Sequence, residues 1–342
     1  MNKQTFLYQV IPWICMLALS LSGCSALPAE SDHVETSSLS TSHIQKSSES
    51  QPDAEHEQAS SVQGEELDAA SVIEDAAAYT VYELTFERDG MQIYGNLYLP
   101  KSDGTQYPTA IIGHGLGSSY SYMAPYAAIL AENGIASYVF DFCGGSPGSK
   151  SDGTPLQMSV LTEREDMEAV LEGLQAYRFV DRENIFLMGE SQGGLVAALL
   201  AASRPEDVRG LALLYPALVI PDNAREWYMD ESDIPETAQV FGTPVGRVYF
   251  TDIFQMDVYD KIGNFNKNVL IVHGSDDSIV PISYSERAVE VYPSAELIVM
   301  DGAGHGFYGA DRGNAVMDIV EFLQQSTLQL ADKATEGGGE TP

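Results

Sequence analysis

Eight short strand-like apolar runs punctuate the chain, at residues 79–87, 91–99, 109–112, 135–140, 184–188, 208–214, 268–272 and 296–300. Arg88-Asp89-Gly90 joins the first two and is a hairpin signal, so the sheet should open antiparallel. Later runs such as Thr109-Ala110-Ile111-Ile112 are almost continuously apolar, the pattern of parallel strands covered on both faces. Helical spacing fills the intervals between them. Met167, Val170, Leu171 and Leu174 repeat at i, i+3, i+4, i+7, and Thr162-x-x-Glu165 reads as a capping box ahead of them. Further helices are predicted over 283–291 and 315–328. The alternation predicts one α/β domain over 79–330, an eight-stranded, mostly parallel sheet with helices on both faces.

One interval breaks the rhythm. Residues 215–267 separate the sixth and seventh strands, far more than an ordinary connection needs, and are read as a cap insertion. The segment holds Trp227, Tyr228, Phe241, Tyr249, Phe250, Phe254 and Tyr259. That is enough aromatic surface to roof an acyl pocket, although for most of these rings a place in the cap's own small core is the simpler expectation.

Candidate chemistry sits at the ends of the apolar runs. Gly189-Glu190-Ser191-Gln192-Gly193 directly follows Ile185-Phe186-Leu187-Met188 and precedes the helix-forming Leu195-Val196-Ala197-Ala198. This is a nucleophile elbow in its required strand-to-helix context, with Ser191 at a helix N-terminus. Thr109–Ile112 runs into Gly113-His114-Gly115-Leu116-Gly117, a loop able to fold back beside the elbow. The N–H groups of Leu116 and Gln192 would then bracket a tetrahedral oxyanion. Asp276 and Asp277 follow the seventh run, and Asp277 is the preferred acid; Gly302-Ala303-Gly304-His305-Gly306 presents a histidine after the eighth. His33, His43 and His56 fall in a polar N-terminal segment, and His114 and His273 read as structural, so only His305 follows both serine and acid. The order Ser191, Asp277, His305 suits nucleophile, orienting acid and base.

Taken together, His114-Gly115-Leu116-Gly117, Phe140-Asp141-Phe142-Cys143-Gly144-Gly145-Ser146 with Ser151-Asp152-Gly153, Ser191-Gln192-Gly193-Gly194 and His273-Gly274-x-x-Asp277 resemble the α/β-hydrolase serine esterases, more closely the bacterial feruloyl (cinnamoyl) esterases. The resemblance spans residues 79–330 and implies the α/β-hydrolase fold and two-step acyl transfer to water. It also implies that Asp222 and Tyr249 of the cap grip a phenolic hydroxyl. Glu190 departs from the pattern, because those esterases commonly carry histidine beside the nucleophile.

The N-terminus speaks to location. Lys3, the apolar residues 6–21 and Leu21-Ser22-Gly23-Cys24 resemble a bacterial lipoprotein signal. The resemblance implies a signal peptide over 1–23, lipidation of Cys24, and an extracytoplasmic enzyme held on the cell membrane. Residues 24–78 are rich in Ser, Thr, Glu, Asp and Gln and read as a disordered acidic tether, with a second disordered tail over 331–342. Cys15 would leave with the signal and Cys24 would be capped, so Cys143 is left alone and no intrachain disulfide forms. A formal net charge of −33 argues against nucleic acid as a partner. No cysteine or histidine pair has metal-ligand spacing and no dinucleotide fingerprint follows the first strand, so neither metal nor cofactor is implied. The substrate expected is a small or polysaccharide-linked ester, with oligomeric state open. Other readings are a peptidase, lysophospholipase or acyltransferase on the same triad, or a lipoprotein that binds acyl or aromatic ligands without catalysis.

Overall fold

The computed structural model describes residues 64–336, with side chains through 328. The signal region, Cys24 and the tether up to residue 63 lie outside the described residues. In chain order the strands are β1 (Val72–Asp75), β2 (Tyr79–Arg88), β3 (Met91–Pro100), β4 (Tyr107–Gly113), β5 (Ala136–Phe140), β6 (Val180–Glu190), β7 (Gly210–Leu214), β8 (Thr237–Val240), β9 (Thr243–Gly246), β10 (Asn268–Gly274) and β11 (Ala295–Met300). The helices are α1 (Tyr120–Glu132), α2 (Val160–Leu174), α3 (Ser191–Ser203), α4 (Ile220–Trp227), α5 (Val248–Thr251), α6 (Val258–Ile262), α7 (Ser283–Val291) and α8 (Gly309–Glu336).

The main sheet has nine strands in the order β1-β2-β3-β5-β4-β6-β7-β10-β11. β1, β2, β3 and β5 pair antiparallel, and every pair from β5 to β11 is parallel. This is the α/β-hydrolase fold, with one strand more than the eight expected. The extra strand, β1, lies inside the stretch predicted to be a disordered tether. Its four residues are all exposed, so it has no buried face to leave an alternating trace in the sequence, and it is held by pairing with the edge of β2. The C-terminal boundary also moves, since the backbone of α8 stays helical to Glu336, past the predicted start of the tail at 331.

Strand alternation divides the core into two layers. On β4, Ile111 turns toward α2, α3 and the cap, whereas Ala110 and Ile112 turn toward α1 and α8. Full burial of one such aliphatic side chain contributes roughly 1.5–3 kcal/mol. The helix predicted from Thr162-x-x-Glu165 begins earlier. Ser159 is its N-cap, accepting from the Thr162 N–H, while the Thr162 hydroxyl accepts from the Ser159 N–H. Thr162 is thus the residue that closes the capping box (N3) rather than its first, because the Ser159 hydroxyl already takes up its free N–H.

The insertion between β7 and β10 contains α4, the β8–β9 hairpin, α5 and α6. Phe250 is its small hub: Trp227, Tyr228 and Tyr249 pack edge-on against it at centroid distances of 6.1, 5.2 and 5.1 Å. Most of the cap aromatics therefore build the cap, and Phe241 and Tyr249 alone among the seven line the cavity beneath it.

Candidate active site

β6 runs straight into α3, and Ser191 makes the turn with a left-handed φ of 48°. A side chain at Gly189 would collide with the backbone of Gly193, and one at Gly193 with the backbone carbonyls of His114 and Gly113. The two glycines thus let β4, β6 and α3 close on one point, and the strained serine is held there by its surroundings.

The structure brings Ser191, His305 and Asp277 into one hydrogen-bonded chain. His305 Nε2 lies 3.0 Å from Ser191 Oγ, and His305 Nδ1 lies 2.7 Å from Asp277 Oδ2. The other Asp277 oxygen accepts from the Ile279 and Val280 N–H groups at 2.8 and 2.9 Å. Burial alone would raise the Asp277 carboxyl, but hydrogen bonds from His273, His305 and the two backbone N–H groups outweigh it and hold the group well below the usual carboxylate range. His273 is fully buried, with Nε2 3.0 Å from the Val280 carbonyl and 3.3 Å from Asp277 Oδ2, and Nδ1 2.7 Å from the Ser285 hydroxyl. Two acceptors at Nε2 place its proton there, so His273 braces the acid loop. Asp276 is exposed, and its carboxylate accepts from the Ser275 hydroxyl at 3.2 Å.

His114 braces the opposite loop. Its Nε2 accepts the Phe142 N–H at 3.2 Å, which leaves Nδ1 to donate to the Gly115 carbonyl at 2.8 Å. Burial lowers its pKa and favours this neutral form. In the same loop Gly115 N–H donates to Glu190 and Gly117 N–H to the Gly145 carbonyl. The Leu116 N–H between them has no protein acceptor among the described residues. Gln192 follows Ser191 in the first turn of α3, where N–H groups lack intrahelical acceptors. Leu116 and Gln192 line the same cavity as Ser191 and His305. The Gln192 side chain is tied on both ends, donating to Glu163 at 2.8 Å and accepting from the Tyr249 hydroxyl at 2.8 Å.

The cavity holds about 470 Å³. Phe241, Val219, Ile220 and Ile279 give it apolar walls, and Glu190 and Asn223 are among its few polar ones. Asp222, expected to grip a substrate hydroxyl here, lies elsewhere. Ile220 and Asn223 occupy the face of α4 that looks into the cavity, so Asp222 is turned away toward a second hollow of about 250 Å³. There it meets Arg225 Nη2 at 2.5 Å and the Tyr284 hydroxyl at 2.8 Å. Tyr249 does reach the cavity, but its hydroxyl is committed to Gln192. Cys143 is buried, its thiol is pushed up by burial, and its N–H donates to Asp166 at 2.8 Å, so it belongs to the core.

Sequence reasoning missed Tyr215, Tyr122 and Tyr308 in the cavity wall. Tyr215 had a usable signal, standing one residue past the end of β7, where parallel sheets place functional groups. Tyr122, near the start of α1, and Tyr308, beyond His305, had none.

Comparison with known proteins agrees with this fold. Residues 107–243 match the family model described as serine aminopeptidase, S33, and residues 254–335 match the model described as TAP-like protein. An uncharacterized protein of Mycobacterium tuberculosis is 27% identical over 252 residues, covering 70% of this chain and 78% of that one. A putative carbamate hydrolase of Rhizobium rhizogenes is 25% identical over 253 residues, 63% of this chain and 92% of the relative. Among solved structures, Est1E from Butyrivibrio proteoclasticus with ferulic acid bound superposes with a TM-score of 0.64 at 26% identity, covering 72% of this chain and 98% of that one. Fold and relatives converge: the chain has the α/β-hydrolase fold, and its matches support a hydrolase of the serine-hydrolase type.

Proposed function

We propose that the protein hydrolyses carboxylic esters with an apolar or aromatic acyl group, hydroxycinnamoyl esters among them, through an acyl-enzyme on Ser191. The observation that carries the reading is the chain of short contacts from Ser191 through His305 to Asp277 at the floor of a largely apolar cavity. His305 takes the Ser191 proton as Oγ attacks the carbonyl carbon, and Asp277 holds the imidazole tautomer and stabilises its cation. The N–H groups of Leu116 and Gln192 receive the oxyanion. His305 then gives its proton to the departing alcohol, and water repeats the sequence on the acyl-enzyme to release the acid.

The similarity to Est1E supports a hydroxycinnamoyl substrate, while the orientation of Asp222 means that a phenolic hydroxyl would be met by other groups here. An aminopeptidase would need an anion free to hold the substrate's ammonium. The carboxylate in this cavity, Glu190, already has both oxygens engaged, which favours the ester reading. The lipoprotein-like N-terminus extends the proposal: lipidation of Cys24 would tether the enzyme on the outer side of the cell membrane.

The test is hydrolysis of p-nitrophenyl acetate and methyl ferulate, each compared with Ser191→Ala. Turnover of both, lost in the variant, supports the full reading. Acetate turnover alone leaves an esterase of other acyl preference, and absence of Ser191-dependent turnover of either refutes the ester reading.

A further inference from the structure

Glu190 occupies the position beside the nucleophile, and its carboxylate is buried with both oxygens in use. Only 5% of the residue is exposed. Oε1 accepts the Gly115 N–H at 3.1 Å, and Oε2 accepts the Tyr215 hydroxyl at 2.6 Å. Gly115 immediately precedes Leu116. Tyr215 is the first residue beyond β7, carries a left-handed φ of 36°, and sets its ring edge-on against His305 at 4.8 Å and Phe307 at 4.8 Å. One carboxylate therefore spans the loop after β4 and the loop after β7, and through the Tyr215 ring it reaches the loop that carries the base.

The cost of this arrangement argues against an incidental role. Burial pushes the Glu190 carboxyl up, opposed by the Tyr215 hydroxyl, the Gly115 N–H and attraction to His305. Tyr122 and Tyr126 of α1, Tyr215 and His305 are the titratable groups that sense it. Its hydrogen-bond partners are neutral, so the imidazolium that His305 becomes during catalysis is the nearby cation that would favour its charge. Tyr215 keeps an unfavourable backbone that a phenylalanine could adopt no more easily, and its hydroxyl gains a charge-assisted bond for it.

We propose that Glu190 is a positioning residue that clamps the Leu116 loop and the Tyr215 wall behind His305, so that oxyanion donor and base are held in register around Ser191. The proposal rests on the serine-hydrolase reading of the site. It predicts that the hydrogen-bonding shape of the side chain matters more than its charge. In Glu190→Gln the amide oxygen can still accept from Gly115 and the amide nitrogen can donate to the Tyr215 oxygen, whereas Glu190→Ala severs both links.

The experiment measures the rate at which a fluorophosphonate labels Ser191, alongside kcat and KM for p-nitrophenyl acetate and the thermal midpoint, in wild type, Glu190→Ala, Glu190→Gln and Tyr215→Phe. Labelling needs the activated serine but no particular acyl group, so a wild type that labels yet hydrolyses no ester would refute the ester reading and leave the Glu190 comparison intact. We expect Glu190→Ala to lose about tenfold or more in labelling rate and kcat with KM changed little, and Glu190→Gln to stay within about threefold of wild type. Wild-type labelling by Glu190→Ala, or an equal loss in the Gln and Ala variants, would overturn the proposal. Should Glu190→Ala fail to fold, Tyr215→Phe takes its place: slowed labelling supports the clamp and an unchanged rate overturns it.

Discussion

Ser191 and Phe241 have nearly the same left-handed backbone, φ 48° and 49°, and both line the cavity, one from its floor and the other from its roof. At the floor the strain is imposed from every side. The flanking glycines close on neighbouring backbone, the Ser191 carbonyl accepts the Ala217 N–H at 2.8 Å, and the parallel strands β4 and β7 flank β6. At the roof, Phe241 and Gly242 form a two-residue turn between the four-residue strands β8 and β9, and Phe241 remains 71% exposed. Both residues hold costly conformations, but the sheet enforces one and a small hairpin the other. Bond-making chemistry needs a fixed geometry, whereas a mostly exposed turn makes few contacts that fix its position.

The comparison is broken most severely at the floor. Ser191→Ala should abolish turnover, a loss of about 10⁴-fold or more, with the fold intact by circular dichroism. Asp277→Asn should cost about 10³- to 10⁴-fold in kcat, because the amide can present its N–H to His305 Nδ1 and select the wrong tautomer. Activity retained by the Asn variant would mean that Asp276 or another group orients the base.

How much of this contrast the sequence carried follows the same division. The hydrogen-bonded arrangement of Ser191, Asp277 and His305 was legible because each stands just beyond a strand, among glycines that leave few conformations open. That Leu116 and Gln192 line the same cavity followed from the same strand-end logic. Asp222 was misplaced because α4 is only eight residues long. Successive residues on a helix turn by about 100°, and nothing in so short a segment shows which face meets the cavity. β1 was missed because four exposed residues in an acidic stretch have no pattern to read. The Glu190 contacts were invisible for another reason, since they depend on Tyr215 folding back across 25 positions of sequence.

Between floor and roof lies a joint, and its pH response sharpens the comparison. Glu163 of α2 is buried and holds the Gln192 side chain, which in turn holds Tyr249 of the cap. Burial pushes the Glu163 carboxyl well above the usual range, against the opposing bond from Gln192. A folded pKa above the unfolded value of about 4.3 gives stability that is fully present at lower pH and lost as pH rises through the folded value. Wild type should therefore lose thermal stability as pH rises above the usual carboxylate range, and Glu163→Gln, which cannot ionise, should lose less. The Asp277 contribution runs the other way. Its folded pKa is lowered, so its share is present above about pH 4 and lost only as pH falls through the folded value. Parallel melting curves for wild type and Glu163→Gln across pH would expose an error in this assignment.

The smallest effect, and the most discriminating, is expected at Phe241. A two-residue turn with positive φ at both positions favours Asn-Gly, and phenylalanine at φ 49° costs on the order of 1 kcal/mol by comparison. Phe241→Asn should thus raise the thermal midpoint by a few degrees while removing an apolar surface from the cavity mouth. Esters with long or aromatic acyl groups should lose about three- to tenfold in kcat/KM, and p-nitrophenyl acetate, too short to reach the roof, should be hydrolysed as by wild type. A gain in stability paired with a loss confined to large substrates is what a residue kept in a strained conformation for its contact with substrate would produce. Equal losses on acetate and large esters would place the effect at the floor instead, transmitted through Thr243 of β9, which packs against Gly117 of the Leu116 loop.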